Sequence, residues 1–263
     1  MSPALSSAAA VRPTRTWRWL VTCVLAGAAV VVVIRPPARW MTGALPADVH
    51  CEAVSGSLWS GRCGRAWLSR PQGASPVVVQ VDWRVAPLRL LQGRLAVQLQ
   101  LARGGSVLQA EVLRGWGHTE VRSLRGLARL EDQLLPVVAV GWQGAARFDG
   151  LQLTLRGQQL AMAQGELRLL QLRRAGPPAV DFGDLLLRWP APAPAGTVAA
   201  RVSDLGGPLQ VQATLQLSSA GAWQLEGSVA PRAAPSADLA SQLALLGPAD
   251  ANGRRLFAIA GRP

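Results

Sequence analysis

The sequence predicts a mostly β protein: an elongated, twisted antiparallel sheet built from hairpins, with one or two short helices, preceded by a single N-terminal transmembrane helix. Apolar residues alternate with Gln, Arg and Thr in many short runs, Gly-rich breaks separate the runs, and one uncharged apolar stretch lies near the N-terminus. Alternation places one face of a strand on a core and the other toward water. Gly-rich breaks between such strands favour hairpins over parallel crossovers.

Composition excludes several classes of protein. With 263 residues, of which 49% are hydrophobic and 16% charged, the chain is too apolar to be intrinsically disordered. Only one stretch is long and apolar enough to cross a bilayer, which excludes a multi-span transporter. The formal net charge is +12, but the Arg residues that supply it are scattered singly and form no known DNA- or RNA-binding motif. We therefore expect no nucleic-acid partner.

The N-terminal apolar stretch predicts a membrane anchor between Leu20 and Ile34. This stretch carries no charge, and Trp residues lie at both of its ends, where aromatic side chains favour the membrane interface. A cleaved signal peptide is the alternative, but no small-x-small cleavage site follows directly. Three Arg precede the stretch and two follow it, which favours a cytoplasmic N-terminus. We expect a cytoplasmic tail (1–18), a transmembrane signal anchor (19–35), a linker (36–47) and a periplasmic β domain (48–263).

Cys51 and Cys63 are the only two cysteines of the large domain, and they flank a segment that predicts a strand, a Gly-Ser turn and a second strand. If the chain folds back there, the two thiols come within bonding range. A disulfide would place the domain in an oxidising compartment. Two buried free thiols remain the alternative. A zinc site is not expected, because the two Cys with His50 leave the fourth ligand unnamed.

Strands and helices are predicted from the period of the apolar residues. Besides the two strands around the Gly-Ser turn, alternation predicts strands over 77–85, 95–101, 107–113, 151–157, 167–173, 197–202, 209–217, 223–229 and 256–260. Helical spacing predicts one helix over 123–135, from Leu124, Leu127, Leu130 and Leu134, and a second over 236–246 that ends at Gly247-Pro248. The Pro-rich segment 190–196 is expected to be a stiff loop within the sheet, and not a domain boundary.

No group of residues predicts catalysis. Neither His50 nor His118 lies in a recognisable motif, and the chain contains no Lys for a Walker loop and no nucleophile elbow. The neighbouring acids Glu131 and Asp132 are expected to be ordinary surface charges. The sequence therefore predicts a protein that is not an enzyme and that has no cofactor and no metal site.

Four motifs occur in a characteristic order. Gly56-Ser57-Leu58-Trp59-Ser60-Gly61 is followed by a Trp83-x-x-x-Pro87 stretch, then by a Gly-Gly-Pro-Leu element, and a Gly-Pro-rich segment with Gly-Arg lies near the C-terminus. Together they resemble the type II secretion system protein N (GspN) family over almost all of the chain after position 35. The residues that carry the resemblance are Gly56, Leu58, Trp59, Gly61, Trp83, Pro87, Gly206, Gly207, Pro208, Leu209, Gly247, Gly253 and Arg254.

The resemblance implies a single-pass component of the cell inner membrane in a Gram-negative bacterium. Its machinery exports folded proteins from the periplasm across the outer membrane. The implied partners are other type II secretion components, namely the secretin and the inner-membrane platform proteins, which could pair with an exposed sheet edge. An alternative is an AsmA-like lipid-handling protein whose apolar groove shelters acyl chains; surplus apolar area along a wide groove would favour it.

Overall fold

One antiparallel sheet of thirteen strands dominates the protein, and each strand pairs with the strands next to it in the sequence. The computed structural model describes residues 36–39, 49–68, 77–134, 141–157, 159–176, 179–190, 197–218, 222–233 and 237–261, with Val24 and Gly27. The strands are β1 (Val49–Gly56), β2 (Ser60–Leu68), β3 (Val79–Val85), β4 (Leu95–Arg103), β5 (Ser106–Arg114), β6 (His118–Arg129), β7 (Trp142–Arg156), β8 (Gln159–Arg174), β9 (Val180–Trp189), β10 (Thr197–Asp204), β11 (Leu209–Ser218), β12 (Trp223–Pro231) and β13 (Arg255–Gly261).

Among the described strands the sheet is open, because β1 and β13 each pair with only one other strand. At about 4.8 Å per strand, thirteen strands extend roughly 58 Å along the hydrogen-bonding direction. Two short helices accompany the sheet, α1 (Pro87–Leu90) and α2 (Ala237–Ala244), and a 3₁₀ turn over Leu130–Asp132 follows β6. The prediction of a mostly β, antiparallel sheet built from hairpins is confirmed.

The predicted anchor between Leu20 and Ile34 lies outside the described residues, apart from Val24 and Gly27. Among the helices that the structure describes, none combines the length and the apolar character that crossing a bilayer requires.

Strand register keeps the alternation of side chains aligned across the whole sheet. Directly paired residues form an apolar row of Val54, Cys63, Val81, Leu101, Leu108, Gly126, Phe148, Leu167, Leu187, Val202, Ala213, Gly227 and Phe257. The adjacent polar row consists of Ser55, Arg62, Asp82, Gln100, Gln109, Arg125, Asp149, Glu166, Arg188, Arg201, Thr214, Glu226 and Ala258. Because neighbouring residues of a strand point to opposite faces, the sheet has one apolar and one polar face.

The apolar face carries the core. Its main cluster lies over the central strands and includes the buried residues Leu108, Ala128, Leu130, Ala146, Phe148, Leu151, Ala163, Leu172, Trp189, Val198 and Ala200. A smaller cluster under the first strands contains Ala38, Cys63, Ala66, Trp83 and Val85. On the last strands, Leu243 of α2 packs against Leu209 and Val229, so this helix covers part of the apolar face.

The helix predicted over 123–135 is wrong. Its first part is the second half of β6, and Leu130 begins the 3₁₀ turn. A bulge interrupts the alternation just before the leucines: the register with β7 shifts between Val121 and Leu124, and Ser123 has a positive φ of 52°. From Arg125 to Arg129 the pairing is regular, so Leu127 lies on the opposite face of the sheet from the buried Ala128, and its helix-like spacing does not mark one shared face.

The second helix is confirmed as α2, within two residues at each end. The alternation of apolar residues does not predict β9 or the first halves of β6, β7 and β8. In β9 three consecutive leucines, 185–187, interrupt the alternation, and Gly183 adopts a φ of +74° where the register with β8 shifts. A bulge of this kind removes the period of two on which strand prediction depends.

Candidate functional site: motif turns at two ends of a two-faced sheet

The alternating strand directions give the sheet two ends, and the family-like motifs lie at both. The turn after β1, helix α1 and the turn at 115–117 lie at one end, which we call the attachment end. The connections after β6, β10 and β12 lie at the opposite end, which we call the far end.

At the attachment end, Trp83 joins the first two motifs. Gly61 pairs directly with Trp83, and a Cβ atom on Gly61 would lie 2.5 Å from the indole Cζ2. The Trp83 indole N–H donates to the Leu58 carbonyl at 3.2 Å, and the Val85 N–H donates to the Trp59 carbonyl at 2.7 Å. Glycine at position 61 therefore lets a large aromatic ring lie flat across the neighbouring strand and close the turn.

The chain segment that follows the predicted anchor is fastened to the same turn. The Leu58 N–H donates to the Pro36 carbonyl at 2.8 Å, and Pro37 forms a bridge with Ser57. Ala38 is buried in the cluster around Trp83. Residues 36–47 are predicted to form a linker, and the described part of this segment, 36–39, packs against the sheet.

The predicted disulfide cysteines lie in the first two strands, and the motif residue Pro87 lies just after β3. Cys51 and Cys63 are joined by a disulfide between β1 and β2, with a Cα–Cα distance of 6.0 Å. Pro87 is the first residue of α1. A backbone N–H at this position would have no partner within the helix, so proline loses no hydrogen bond there.

At the far end, Asp204 holds the Gly206-Gly207-Pro208-Leu209 turn. Its carboxylate accepts hydrogen bonds from the Val211 N–H at 2.9 Å and the Gly206 N–H at 3.3 Å, and it pairs with Arg232. Burial would raise the pKa of Asp204, but the N–H of Val211 and the guanidinium of Arg232 outweigh it and lower the pKa. The Asp204 side chain is only 8% exposed, whereas that of Arg232 is 45% exposed, so a nearly buried carboxylate holds the turn together.

Asp250 organises the last motif in the same way. Its carboxylate accepts hydrogen bonds from the Asn252 and Arg254 N–H groups, each at 2.8 Å. The Arg255 guanidinium donates to the Gly247 carbonyl, and Gly253 lies within the turn with a φ of +74°. The residues of this motif are thus accounted for by turn formation.

The polar face carries exposed ion pairs and shallow grooves. Along the polar row, Arg62 contacts Asp82 at 2.5 Å and Arg188 contacts Glu166 at 2.7 Å. The hydrogen bond from Arg62 lowers the pKa of Asp82. A groove of about 660 Å³ over β2–β6 is lined by Asp82, Arg84, Gln98, Gln100, Gln109, Glu111 and Arg125, among others. A groove of about 680 Å³ lies over β11–β13.

The motif residues do not converge on one site, and the structure shows contacts that the sequence analysis missed. Within the described ranges, no three His, Cys, Asp or Glu side chains are grouped so that they could hold a metal ion. The contact of Pro36 with Leu58 and the pairing of Asp204 with Arg232 were not predicted. Both join residues more than twenty positions apart, and no local pattern in the sequence signals them.

Comparison with known proteins supports the resemblance. The sequence model of the family described as "Type II secretion system (T2SS), protein N" matches residues 47–257, which include all four motifs. No curated protein and no solved structure matches the chain significantly. Because the match extends over most of the sequence, the chain belongs to the type II secretion system protein N family.

Proposed function

We propose that this protein is an inner-membrane-anchored component of the type II secretion machinery that exports folded proteins across the outer membrane. It acts by binding other proteins and catalyses no reaction. Family membership supports the assignment to this machinery. In this proposal residues 19–35 span the inner membrane once, and the sheet lies in the periplasm.

The observation that carries the binding role is the outer edge of β13. No described strand pairs with this edge, and two of its large apolar side chains are exposed, Leu256 by 76% and Ile259 by 48%. An open, apolar strand edge is a template for a further strand, which the partner supplies by β-augmentation. Backbone groups make most of the bonds, which is consistent with the absence of a site motif in the sequence.

The opposite edge is less suited to pairing. On β1, Glu52 is paired with Arg65, and Ala53 adopts a left-handed φ of 57° in the middle of the strand. Cys51 is tied to β2. Charge and local irregularity are the devices that protect sheet edges from further pairing. We therefore place the partner strand on β13 and name the secretin and the inner-membrane platform proteins as candidate partners.

The proposal is tested by measuring release of secreted proteins from a strain that lacks the gene. Complementation with the natural chain should restore release, whereas the double variant Leu256→Lys and Ile259→Lys should reduce it several-fold, because two charges block strand pairing. The matched control is Leu205→Lys, which alters an exposed leucine in a far-end turn. Both variants should be as abundant as the natural protein. Normal release in the deletion strain would overturn the assignment, and normal release with the double variant would overturn the role of β13.

The AsmA-like alternative has no support among the described residues. It requires an apolar groove wider than its side chains can fill. The grooves over β2–β6 and β11–β13 combine polar side chains such as Asp82, Gln100 and Glu226 with apolar ones such as Leu99 and Leu256, so neither has the continuous apolar lining that acyl chains need.

A further inference from the structure

The attachment end exposes a group of large apolar side chains, three of them by 76% or more. Leu88 of α1 is 76% exposed, Leu91 just after this helix is 85% exposed, and Trp116 in the β5–β6 turn is 91% exposed. α1 contains no buried residue. A Cβ atom on Gly93 would lie 3.3 Å from the Trp116 indole nitrogen, so the two connections are in contact. Together they form one apolar surface that nothing in the described chain covers.

Unpaired positive charge surrounds this apolar surface. Arg89, Arg94, Arg114 and Arg156 are exposed there, and none of them forms an ion pair with an acid of the described residues. The connecting segments at this end, 57–59, 86–94 and 115–117, contain no Asp or Glu. Glu120, near the start of β6, already pairs with Arg122. The surface is therefore suited to an anionic partner.

The position of the attachment end identifies that partner. Pro36 is hydrogen-bonded to Leu58 at this end, and only Arg35 separates it from Ile34, the last residue of the predicted anchor. Two residues of extended chain span about 7 Å. If residues 19–35 cross the membrane, this end of the sheet lies at the lipid surface.

We propose that α1 and the β5–β6 turn dock on the anionic phospholipid surface of the membrane that holds the anchor. Leu88, Leu91 and Trp116 enter the boundary between headgroups and acyl chains, where Trp and Leu side chains are favoured. The four arginines contact lipid phosphates, which attract basic residues within a Debye length. The inference rests on the proposed anchor and adds a second membrane contact to it.

A pair of labelled positions tests the docking. In full-length protein with Cys23→Ala, a single cysteine is introduced by Leu91→Cys, or by Leu245→Cys as the control. Leu245 is also 85% exposed but follows α2 at the far end. Each cysteine is coupled to an environment-sensitive fluorophore, and the protein is reconstituted in phosphatidylglycerol-containing vesicles with a nitroxide on the lipid headgroup. Quenching at position 91 should exceed that at 245 several-fold; equal quenching would overturn the proposal.

Charge removal tests the role of the arginines. Arg89→Gln, Arg94→Gln, Arg114→Gln and Arg156→Gln together should lower quenching at position 91 at least twofold. The matched control removes four other exposed arginines, Arg125, Arg173, Arg174 and Arg201, and should leave quenching unchanged. Replacing phosphatidylglycerol by phosphatidylcholine should have the same effect as the first set. If both sets lower quenching equally, general charge and not this surface determines the contact.

Carbonate extraction shows whether the chain is held in the membrane by the proposed anchor, independently of docking. A chain that leaves the vesicles in carbonate contradicts the anchor, and docking with it. A chain that is retained but unquenched at position 91 contradicts docking alone. Normal secretion in the deletion strain would contradict the proposed machinery and leave the quenching result intact.

Discussion

Charged residues have different roles at the two ends of the sheet. At the far end, acidic side chains accept hydrogen bonds from the chain itself: Glu131 from the Gly144 N–H, Asp132 from the Ser106 hydroxyl, Asp204 from Val211 and Asp250 from Asn252. At the attachment end the connections contain no acid, and arginines and large apolar side chains are exposed. Charge at the far end thus stabilises turns, whereas charge at the attachment end remains available to a partner.

This difference predicts where substitutions affect folding and where they affect binding. Far-end acids should matter for stability. Exposed groups at the attachment end should matter for docking, while the interior of that end, around Trp83 and the disulfide, should again matter for stability. The following experiments, from the largest expected effect to the smallest, test this division.

Gly61→Val should destabilise the protein by about 3 kcal/mol, because the added carbons occupy the space of the Trp83 indole and force strain on the turn. Ala258→Val adds two methyl groups, one carbon fewer, at an exposed position of β13 and should be nearly neutral. Urea unfolding followed by Trp fluorescence measures both. If both variants unfold at the natural midpoint, Trp83 does not close this turn.

Reduction of the Cys51–Cys63 disulfide, or replacement of both cysteines by Ser, should cost about 2–3 kcal/mol, as expected for a short closed loop. Intact mass should increase by two hydrogens on reduction. The loss of stability should appear in the same unfolding transition that Gly61→Val shifts, since the disulfide and Gly61 both lie in the first two strands. A mass unchanged by reductant would show that the two thiols are free in solution.

Asp204→Ala should cost about 2 kcal/mol, because it removes a nearly buried acceptor of the Val211 N–H and the partner of the half-exposed Arg232 guanidinium. Asp149→Ala is the control: Asp149 also pairs with an Arg, but its side chain is 37% exposed, so the loss should be about 0.5 kcal/mol or less. Equal losses for the two variants would remove the distinction between turn-forming and surface acids.

Asp82→Asn should have the smallest effect, about 0.5 kcal/mol or less, because the Arg62–Asp82 pair is at the surface. The pKa of Asp82 is lowered from 3.8, so the stabilisation is complete above pH 3.8 and is lost as the pH falls through the folded-state pKa. Unfolding midpoints at pH 6 and pH 3 should therefore differ less for the variant than for the natural chain. An unchanged pH dependence would show that Asp82 is not stabilised by Arg62.

The sequence predicts most of the strands because the period of two survives in them. It also predicts α2, whose leucines recur with helical spacing up to Gly247. Prediction failed where bulges at Ser123 and Gly183 shifted that period. The motif residues were found, but their joint role was not, because the contacts of Trp83 with Leu58 and of Pro36 with the same turn depend on strand register.

The pairing of each strand only with its sequence neighbours has a consequence for how such a protein can vary in length. Removing or adding one complete hairpin leaves every remaining strand with an antiparallel partner, so the path of the rest of the chain does not change. Because a hairpin contains two strands of opposite direction, the chain leaves it in the direction in which it entered. The first turn and the last strand would therefore keep their orientation relative to each other. The reach of the sheet could therefore change in steps of about 10 Å while both termini of the domain stay as they are.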